Sequence, residues 1–252
     1  TLLLTEDSQS AAMTARQLLC FVSGKTQEQI LASRDLYASE EISAKLDFAV
    51  SRYLKGEPLA YILGEWEFFG LPLYVTKDVL IPRDDTCAVV ELAINKALFL
   101  GKDPRILDLC TGSGCIAWTL ALEIPGSDVV AVDISDGALK VADGQDFSEE
   151  LSSTGARKPQ FFKADVLAQP LTSLGQFDII VSNPPYVMES EKALMRANVL
   201  DHEPHLALFV SDDDPLLFYR AVAEWAAVML KPGGYGIVEI NEALSSDTEE
   251  IF

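Results

Sequence analysis

The feature that most constrains the fold is an alternation of short apolar runs with helix-like patterns from about residue 105 onward. The apolar runs predict strands at Arg105–Cys110, Val129–Ile134, Phe161–Val166, Phe177–Ser182 and Tyr235–Ile240. Helices are predicted between them, including a long one before the last strand, from about residue 215 to residue 230. Strands and helices that alternate in this way form a parallel sheet covered by helices on both faces. The sequence therefore predicts an α/β fold.

The N-terminal part of the chain has a different pattern. Apolar residues recur there at steps of three and four, which predicts helices; they are Ala12, Ala15, Leu18, Leu19 and Val22, then Leu46, Ala49, Val50 and Tyr53. Gly24 suits a helix end, and Thr26 with Gln29 suits a capping box. Trp66, Phe68, Leu71, Leu73 and Val75 predict a strand pair with a turn at Gly70-Leu71-Pro72. We expect a helical domain at residues 1–63, a β-hairpin linker at 64–85 and a sheet domain at 86–252.

Charge and composition exclude several classes of protein. With 19 basic and 39 acidic residues the net charge is −20, which repels phosphate backbones, so direct nucleic-acid binding is not expected. No apolar run approaches the ~20 residues that span a bilayer, so no membrane association is expected. The segment Thr1–Asp7 lacks the basic flank of a secretory signal. The four cysteines contain no CxxC pair, which favours a reducing cytoplasm.

A glycine-containing loop between the first sheet strand and its helix predicts a cofactor site. Its candidate cofactor-binding residues are Asp108, Cys110, Thr111, Gly112, Ser113 and Gly114. Glycines at such a turn let the backbone approach a ligand, and the helix N-terminus offers unpaired N–H groups. Asp133 ends the next strand, where an acid accepts both ribose hydroxyls of an adenosine cofactor. Nicotinamide dinucleotide and S-adenosylmethionine both fit these residues, and a tight turn without a ligand is the simpler alternative.

A second motif, Asn183-Pro184-Pro185-Tyr186, follows the fourth sheet strand, at the edge where parallel sheets bind ligands. Because two prolines restrict the backbone, the Asn183 side chain and the Pro184 carbonyl form two fixed acceptors for a planar –NH2 group. This arrangement turns the nitrogen lone pair toward an electrophile, and Tyr186 offers a face for stacking. Such a site transfers a methyl group from a sulfonium to an amide or amino nitrogen. The alternative is a turn that merely ends the strand.

Two residues after the third sheet strand are candidates for adenine binding. Asp165 can accept a hydrogen bond from the adenine amine, and Val166 would then pack on the ring. A role of Asp165 as a turn residue at the strand end explains its presence equally well.

With these motifs the chain resembles class I S-adenosylmethionine-dependent methyltransferases, and among them the release-factor glutamine methyltransferases (the PrmC/HemK family). The matching segments are Gly56–Gly64 (GEPLAYILG), Glu67–Leu71 (EFFGL), Val79–Arg83 (VLIPR), the glycine loop, Val181–Val187 (VSNPPYV), His202–Pro204 (HEP) with Ala207 and Leu208, Phe218–Arg220 (FYR), and Lys231–Gly234 (KPGG). The first and third segments are the most specific to this family, because N-P-P-Y is shared with DNA and RNA amino-methyltransferases.

The resemblance implies a Rossmann-like methyltransferase domain that uses S-adenosyl-L-methionine as its cofactor. The implied reaction is methylation of the side-chain nitrogen N5 of a glutamine in the Gly-Gly-Gln motif of a peptide-chain release factor. Asn183 and Pro184 are the implied catalytic residues, and Asn183 also contacts the cofactor. Arg83 and the segment Asn183–Tyr186, with Pro185, are the implied substrate-binding residues. The helical N-terminal domain is expected to bind the release factor.

Three departures from the family pattern stand out. Asp84-Asp85-Thr86 replaces the usual Pro-Glu-Thr, and Cys110 replaces a glycine of the loop, although its backbone N–H remains available. The sequence also ends at Phe252, shortly after the fifth sheet strand, where the family fold has two further strands. We therefore expect the C-terminal strands to be missing.

Other interpretations have less support. His202 and His205 form an H-x-x-H pattern, but without a third histidine we expect no metal site. No activating base is evident beside Cys110 or Cys115, so we expect no catalytic thiol. An adenine amino-methyltransferase conflicts with the net charge of −20 and with the lack of a basic insertion. A non-catalytic binding module conflicts with the intact N-P-P-Y motif and Asp133.

Overall fold

The computed structural model describes residues 8–32, 39–101 and 103–252, so the expectation for Thr1–Asp7 lies outside the described residues. The chain divides into two compact units. The smaller comprises Thr1–Glu65 and Arg196–His202, and the larger comprises Trp66–Met195 and Glu203–Phe252. The hairpin residues from Trp66 onward thus group with the sheet.

The secondary structure agrees with the predicted order of elements. The helices are α1 (Ser8–Ser23), α2 (Gln27–Ala32), α3 (Glu40–Leu54), α4 (Leu59–Leu63), α5 (Thr86–Leu100), α6 (Cys115–Glu123), α7 (Asp136–Asp143), α8 (Ser148–Thr154), α9 (Ala197–His202), α10 (Leu217–Met229) and α11 (Ser245–Glu249). The strands are β1 (Glu65–Phe68), β2 (Leu71–Tyr74), β3 (Arg105–Leu109), β4 (Asp128–Asp133), β5 (Gln160–Lys163), β6 (Phe177–Ser182), β7 (Val187–Met188), β8 (Phe209–Val210) and β9 (Leu230–Val238). Short 3₁₀ segments lie at Thr172–Leu174, Glu189–Leu194, His205–Ala207 and Glu242–Leu244.

The smaller unit is helical, as predicted. Gly24 follows α1 with a φ of +64°, and Thr26 and Gln29 exchange backbone-to-side-chain hydrogen bonds of 3.0 and 3.3 Å. Both helix-end predictions are confirmed. Leu18, Ala49 and Ile62 form the buried centre of this unit, so the periodic apolar faces meet in a small core.

The larger unit contains a five-stranded parallel sheet in the order β5-β4-β3-β6-β9. The predicted α/β fold is confirmed. Because the strand order reverses direction between β3 and β6, their carboxyl ends flank the point where such sheets bind ligands. Neighbouring residues of β3 point to opposite faces: Ile106 belongs to one core cluster and Leu107 to the other. Within the described residues the two further strands of the family pattern are not present.

Several predicted boundaries are wrong. The hairpin turn consists of Phe69 and Gly70, with φ values of +52° and +77°, which is the geometry of a two-residue turn. Pro72 lies inside β2 because an extended strand accommodates its fixed φ. The exposed edge strand β5 ends at Lys163, before Asp165 and Val166.

Strand β9 begins at Leu230 rather than Tyr235. Leu230 already pairs with Phe177, and the register shifts before Ile179 pairs with Tyr235. Gly234 allows this ladder because a Cβ at its position would lie 2.7 Å from the Asp178 carbonyl oxygen. Gly233 and Gly234 therefore belong to β9.

No helix in residues 8–32, 39–101 and 103–252 is long and apolar enough to cross a membrane.

Candidate active site

A cavity of about 180 Å³ lies in the larger unit, lined by the segments that follow β3, β4, β5 and β6. The predicted site residues that line it are Arg83, Cys110, Thr111, Gly112, Ser113, Asp133, Asp165, Val166, Asn183 and Pro185. The structure thus brings together residues from five separate sequence segments. Asp108, Gly114, Pro184 and Tyr186 are not among the described residues that line this cavity.

The glycine loop adopts backbone conformations that favour glycine. Gly112 and Gly114 have φ values of +55° and +81°, and Cys110 has a φ of +63°. The left-handed conformation favours glycine at position 110, since a Cβ is strained there. A Cβ on Gly112 would meet no atom within 4 Å, so this backbone faces open space. The loop can therefore approach a ligand closely.

Asp133 is held at the end of β4 by two backbone N–H groups. Its Oδ2 accepts a hydrogen bond from Gly112 and its Oδ1 accepts one from Ser135, each at 2.9 Å. Burial raises the pKa of Asp133, while these hydrogen bonds favour its ionised form. Each oxygen has a second lone pair, so the fixed carboxylate can still accept two hydroxyl groups from the cavity.

Asp108 lies beneath the glycine loop and is fully buried. Its Oδ2 accepts a hydrogen bond of 2.6 Å from the Thr111 hydroxyl, whereas its Oδ1 has no hydrogen-bond partner of normal geometry among the described residues. Burial raises the pKa of Asp108 to about 7. A buried acceptor without a partner is rare in folded proteins and needs a donor from elsewhere.

The adenine-binding candidates lie in a turn after β5. Asp165 Oδ1 accepts a hydrogen bond of 2.9 Å from the Leu167 N–H, which is the turn role considered above. Both Asp165 and Val166 also line the cavity, and the Val166 carbonyl accepts a 3.0 Å hydrogen bond from the Trp225 indole. The Trp225 indole therefore fixes this turn. Binding of adenine by Asp165 and Val166 stays a prediction.

Asn183 belongs to a chain of hydrogen bonds that the sequence did not reveal. Its Nδ2 donates to Thr86 Oγ1 at 3.1 Å, and the Thr86 hydroxyl donates to Glu239 Oε2 at 2.7 Å. The other oxygen of Glu239 accepts a 2.8 Å hydrogen bond from the Tyr186 hydroxyl. Asn183 Oδ1 is thereby left as the group that can accept a hydrogen bond from a ligand. We refer to Asn183, Thr86, Glu239 and Tyr186 as the Asn183 network.

Tyr186 is fixed by its hydroxyl group. Burial, followed by the nearby Glu239 carboxylate, raises the pKa of Tyr186, so its hydroxyl keeps its proton and remains a donor. The stacking role predicted for its ring stays a prediction.

Arg83 contributes a positive charge to the cavity wall. Its guanidinium donates a 2.5 Å hydrogen bond to Glu203, whose second oxygen accepts one of 3.1 Å from the Ile81 N–H. Glu203 is buried, so it fixes the segment that carries Arg83. In the sequence, Glu203 stands out only as part of the matching segment His202–Pro204.

Neither Cys110 nor Cys115 is activated as a nucleophile. All four cysteines are free, burial raises the pKa of Cys110, and it raises the pKa of Cys115 to about 12. Both thiols are therefore protonated at neutral pH and poorly nucleophilic.

His205 packs edge-on against Phe209, with ring centroids 5.1 Å apart. No group of three metal-ligating side chains occurs in the part of the chain that the structure describes.

Comparison with known proteins identifies the family. The PrmC N-terminal domain family matches residues 1–64, and the methyltransferase small domain family matches residues 91–207. The release factor glutamine methyltransferase of Flavobacterium psychrophilum is 46% identical over 197 residues, 77% of this chain and 67% of that protein. Its counterpart in Bacteroides thetaiotaomicron is 42% identical over 231 residues, 91% of this chain and 80% of that protein.

A third relative, from Vibrio cholerae, carries the same name and is 38% identical over 232 residues, 92% of this chain and 78% of that protein. At 91% and 92% of this chain, the second and third matches necessarily include parts of both the helical region and the sheet. They confirm the resemblance that the sequence motifs indicated. The chain belongs to the family of release factor glutamine methyltransferases.

Proposed function

We propose that this chain transfers a methyl group from S-adenosylmethionine to the side-chain nitrogen N5 of a glutamine in the Gly-Gly-Gln motif of a peptide-chain release factor. The observation that carries the proposal is the fixed orientation of Asn183 at the cavity, with its Nδ2 held by Thr86 and its Oδ1 left to accept. The names of the relatives support the same substrate.

The residues around the cavity fit S-adenosylmethionine, which supplies an electrophilic methyl group on a sulfonium. The Asp133 carboxylate can accept both ribose hydroxyls, and the open space beside Gly112 leaves room for the ligand. The unpartnered Oδ1 of Asp108 suits an ammonium donor, reached directly or through water. Val166 and Ile116 give the cavity apolar walls for a planar ring.

Positioning is the main catalytic contribution of this chain. An amide nitrogen is a poor nucleophile because its lone pair is delocalised into the carbonyl. Asn183 Oδ1 and the Pro184 carbonyl hold the two amide hydrogens and turn the nitrogen toward the methyl group. Orientation of this kind contributes up to ~7–11 kcal/mol in well-aligned reactions. S-adenosylmethionine, when bound, would supply the methyl group, and the nitrogen held by Asn183 and Pro184 would release one proton to water.

The domain roles complete the proposal. Residues 1–63 bind the release factor, residues 64–85 link the two parts, and residues 86–252 bind the cofactor. Arg83 contacts the protein substrate from the cavity wall. We propose that the reaction takes place in a reducing cytoplasm, which the four free thiols support.

Mass spectrometry of a release factor tests the proposal. After incubation with the chain and S-adenosylmethionine, the peptide with the Gly-Gly-Gln motif should gain the mass of one methylene group at glutamine. A release factor with alanine in place of that glutamine is the matched control. Labelled cofactor offered with DNA or RNA in parallel would show transfer to nucleic acid if the amino-methyltransferase alternative held. Absence of methylated glutamine would overturn the proposal.

A further inference from the structure

We propose that Glu239 is a positioning residue that sets the orientation of both Asn183 and Tyr186. This inference rests on the proposed function. It starts from the register of the sheet: Ser182 pairs with Val238, and the Glu239 N–H donates a 3.0 Å hydrogen bond to the Ser182 carbonyl. Asn183 and Glu239 therefore directly follow the paired ends of the neighbouring strands β6 and β9. Thr86, the first residue of α5, lies between their side chains.

Glu239 determines which group donates and which group accepts in each hydrogen bond of the Asn183 network. An ionised carboxylate only accepts hydrogen bonds, so the Thr86 hydroxyl must give its single proton to Glu239. Thr86 Oγ1 can then only accept from Asn183, and the group that meets it must be Nδ2. The Asn183 amide is thereby prevented from rotating by half a turn. In the rotated form it would present a donor, not an acceptor, to the –NH2 group of glutamine.

The second oxygen of Glu239 fixes the other end of the N-P-P-Y motif. It accepts the Tyr186 hydroxyl at 2.8 Å, and the Tyr186 carbonyl accepts a 3.3 Å hydrogen bond from Asn241. One carboxylate thus fixes the first and last residues of the motif, while the two prolines restrict the backbone between them. Glu239 is not among the described residues that line the cavity, so it acts through its neighbours.

The experiment compares Glu239→Gln with Glu224→Gln, the same change on an exposed residue of α10. A glutamine at 239 offers one donor and one acceptor group, so it no longer specifies the direction of the Thr86 hydroxyl. We expect Glu239→Gln to lower kcat by about 10–100-fold, by analogy with the loss that follows removal of outer-shell groups that orient metal ligands. The dissociation constant for S-adenosylmethionine should stay within about twofold, because the glycine loop and the Asp133 carboxylate are untouched. Glu224→Gln should match the unchanged protein in both.

Thr86 variants keep the inference testable if Glu239→Gln folds poorly. Thr86→Val removes the hydroxyl and should reproduce the loss in kcat, whereas Thr86→Ser keeps the hydroxyl and should restore most of it. Thr86 also lines the cavity, so the double variant with Asn183→Ala tests whether it acts through Asn183: Thr86→Val should then cause no further loss. A purely structural role would add its effect to that of Asn183→Ala.

Each outcome decides between the two proposals. If Asn183→Ala abolishes transfer while Glu239→Gln and Thr86→Val turn over normally, the inference about Glu239 is wrong and the proposed function stands. An additive double variant would overturn the inference in the same way. A protein without these substitutions that methylates no release factor would overturn the proposed function, and this inference with it.

Discussion

The guanidinium of Arg83 is joined to the carboxylate of Glu203 by a 2.5 Å hydrogen bond that spans 120 residues of sequence. The partners differ in environment, because the Glu203 side chain is 1% exposed and that of Arg83 is 36% exposed. A buried carboxylate requires compensation by charge and hydrogen bonds. Arg83 thus serves to neutralise Glu203 as well as to line the cavity.

We expect Arg83→Ala to destabilise the protein, because Glu203 keeps only the Ile81 N–H as a described partner. The cost should be about 1–3 kcal/mol, below that of breaking a wholly buried pair because Arg83 is partly solvated. Urea unfolding measures it. Lys45→Ala, which breaks the exposed pair of Lys45 and Glu41, should cost much less. Equal costs for the two variants would show that the burial of Glu203 contributes nothing.

Asp133→Ala should weaken S-adenosylmethionine binding and leave the fold intact. The variant loses a charge-assisted acceptor for two ribose hydroxyls, worth about 1.5–3 kcal/mol, or roughly 10–150-fold in affinity. Calorimetry measures the dissociation constant, and a thermal melt checks folding, since the Gly112 and Ser135 N–H groups lose their acceptor. Asp143→Ala, an exposed acid at the end of α7, is the control. Unchanged affinity in folded Asp133→Ala would remove Asp133 from the cofactor site.

Asp108 should make the stability of the cofactor-free protein depend on pH. Its pKa is about 7 in the folded protein against an ordinary value of 3.8, so the folded state keeps a proton that the unfolded state has lost. Stability therefore falls as pH rises between about 4 and 7. Asn at this position stays neutral and can still accept from Thr111. From pH 5.5 to pH 8, Asp108→Asn should gain about 2 kcal/mol relative to the unchanged protein. Denaturant titrations at both pH values measure this gain, and a constant difference would contradict it.

The sequence predicted the architecture because the spacing of apolar residues that is typical of a strand or a helix can be recognised within a short segment. It also predicted that the glycine loop, Asp133 and Asn183 meet at one edge of the sheet, and all three line the same cavity, since residues at the carboxyl ends of parallel strands converge. It misplaced the start of β9, because the pairing of Leu230 with Phe177 depends on a strand 53 residues away. Helix-like and strand-like local patterns cannot report such pairing.

Residues that act through distant partners were the ones that the sequence missed. Glu239 is separated from Thr86 by 153 residues and from Tyr186 by 53, so no spacing pattern links them. The available signal was weak: an acid directly after an apolar strand, at the same edge as Asp133. Cys110 is the opposite case, because a local feature of the sequence was informative there. Cys110 stands in place of a glycine of the family pattern, and its backbone is left-handed.

That left-handed backbone leads to a prediction about stability. At most positions glycine is less stable than alanine, because it loses more conformational entropy on folding. At position 110 the order should reverse, because a Cβ at a φ of +63° costs roughly 1–2 kcal/mol. We expect Cys110→Gly to be more stable than Cys110→Ala by about 1 kcal/mol, with equal cofactor affinity. Thermal and urea unfolding of the two variants compare them. A more stable alanine variant would show that the strain is absent.

The Asn183 side chain should matter far more for turnover than for cofactor affinity. Asn183→Ala removes one acceptor for the glutamine amide, and loss of one preorganised hydrogen-bonding group should lower kcat by ~10²–10³-fold. Single-turnover methylation at saturating S-adenosylmethionine measures this, with folding checked by thermal melt. Transfer at the unchanged rate in a folded variant would place the chemistry elsewhere.

Asn183→Asp separates the acceptor role from the network, because its size is almost unchanged. A carboxylate can still accept from glutamine, but it has no Nδ2 proton to donate to Thr86 Oγ1. It also competes with Glu239 for the single Thr86 proton, so one of two negative groups loses a donor. The added charge stabilises a sulfonium more before transfer than during it, when the positive charge disperses. We therefore expect Asn183→Asp to bind S-adenosylmethionine at least as tightly as the unchanged protein and to transfer methyl more slowly. Calorimetry and single-turnover kinetics measure the two quantities, and weaker binding with an unchanged rate would contradict both roles assigned to Asn183.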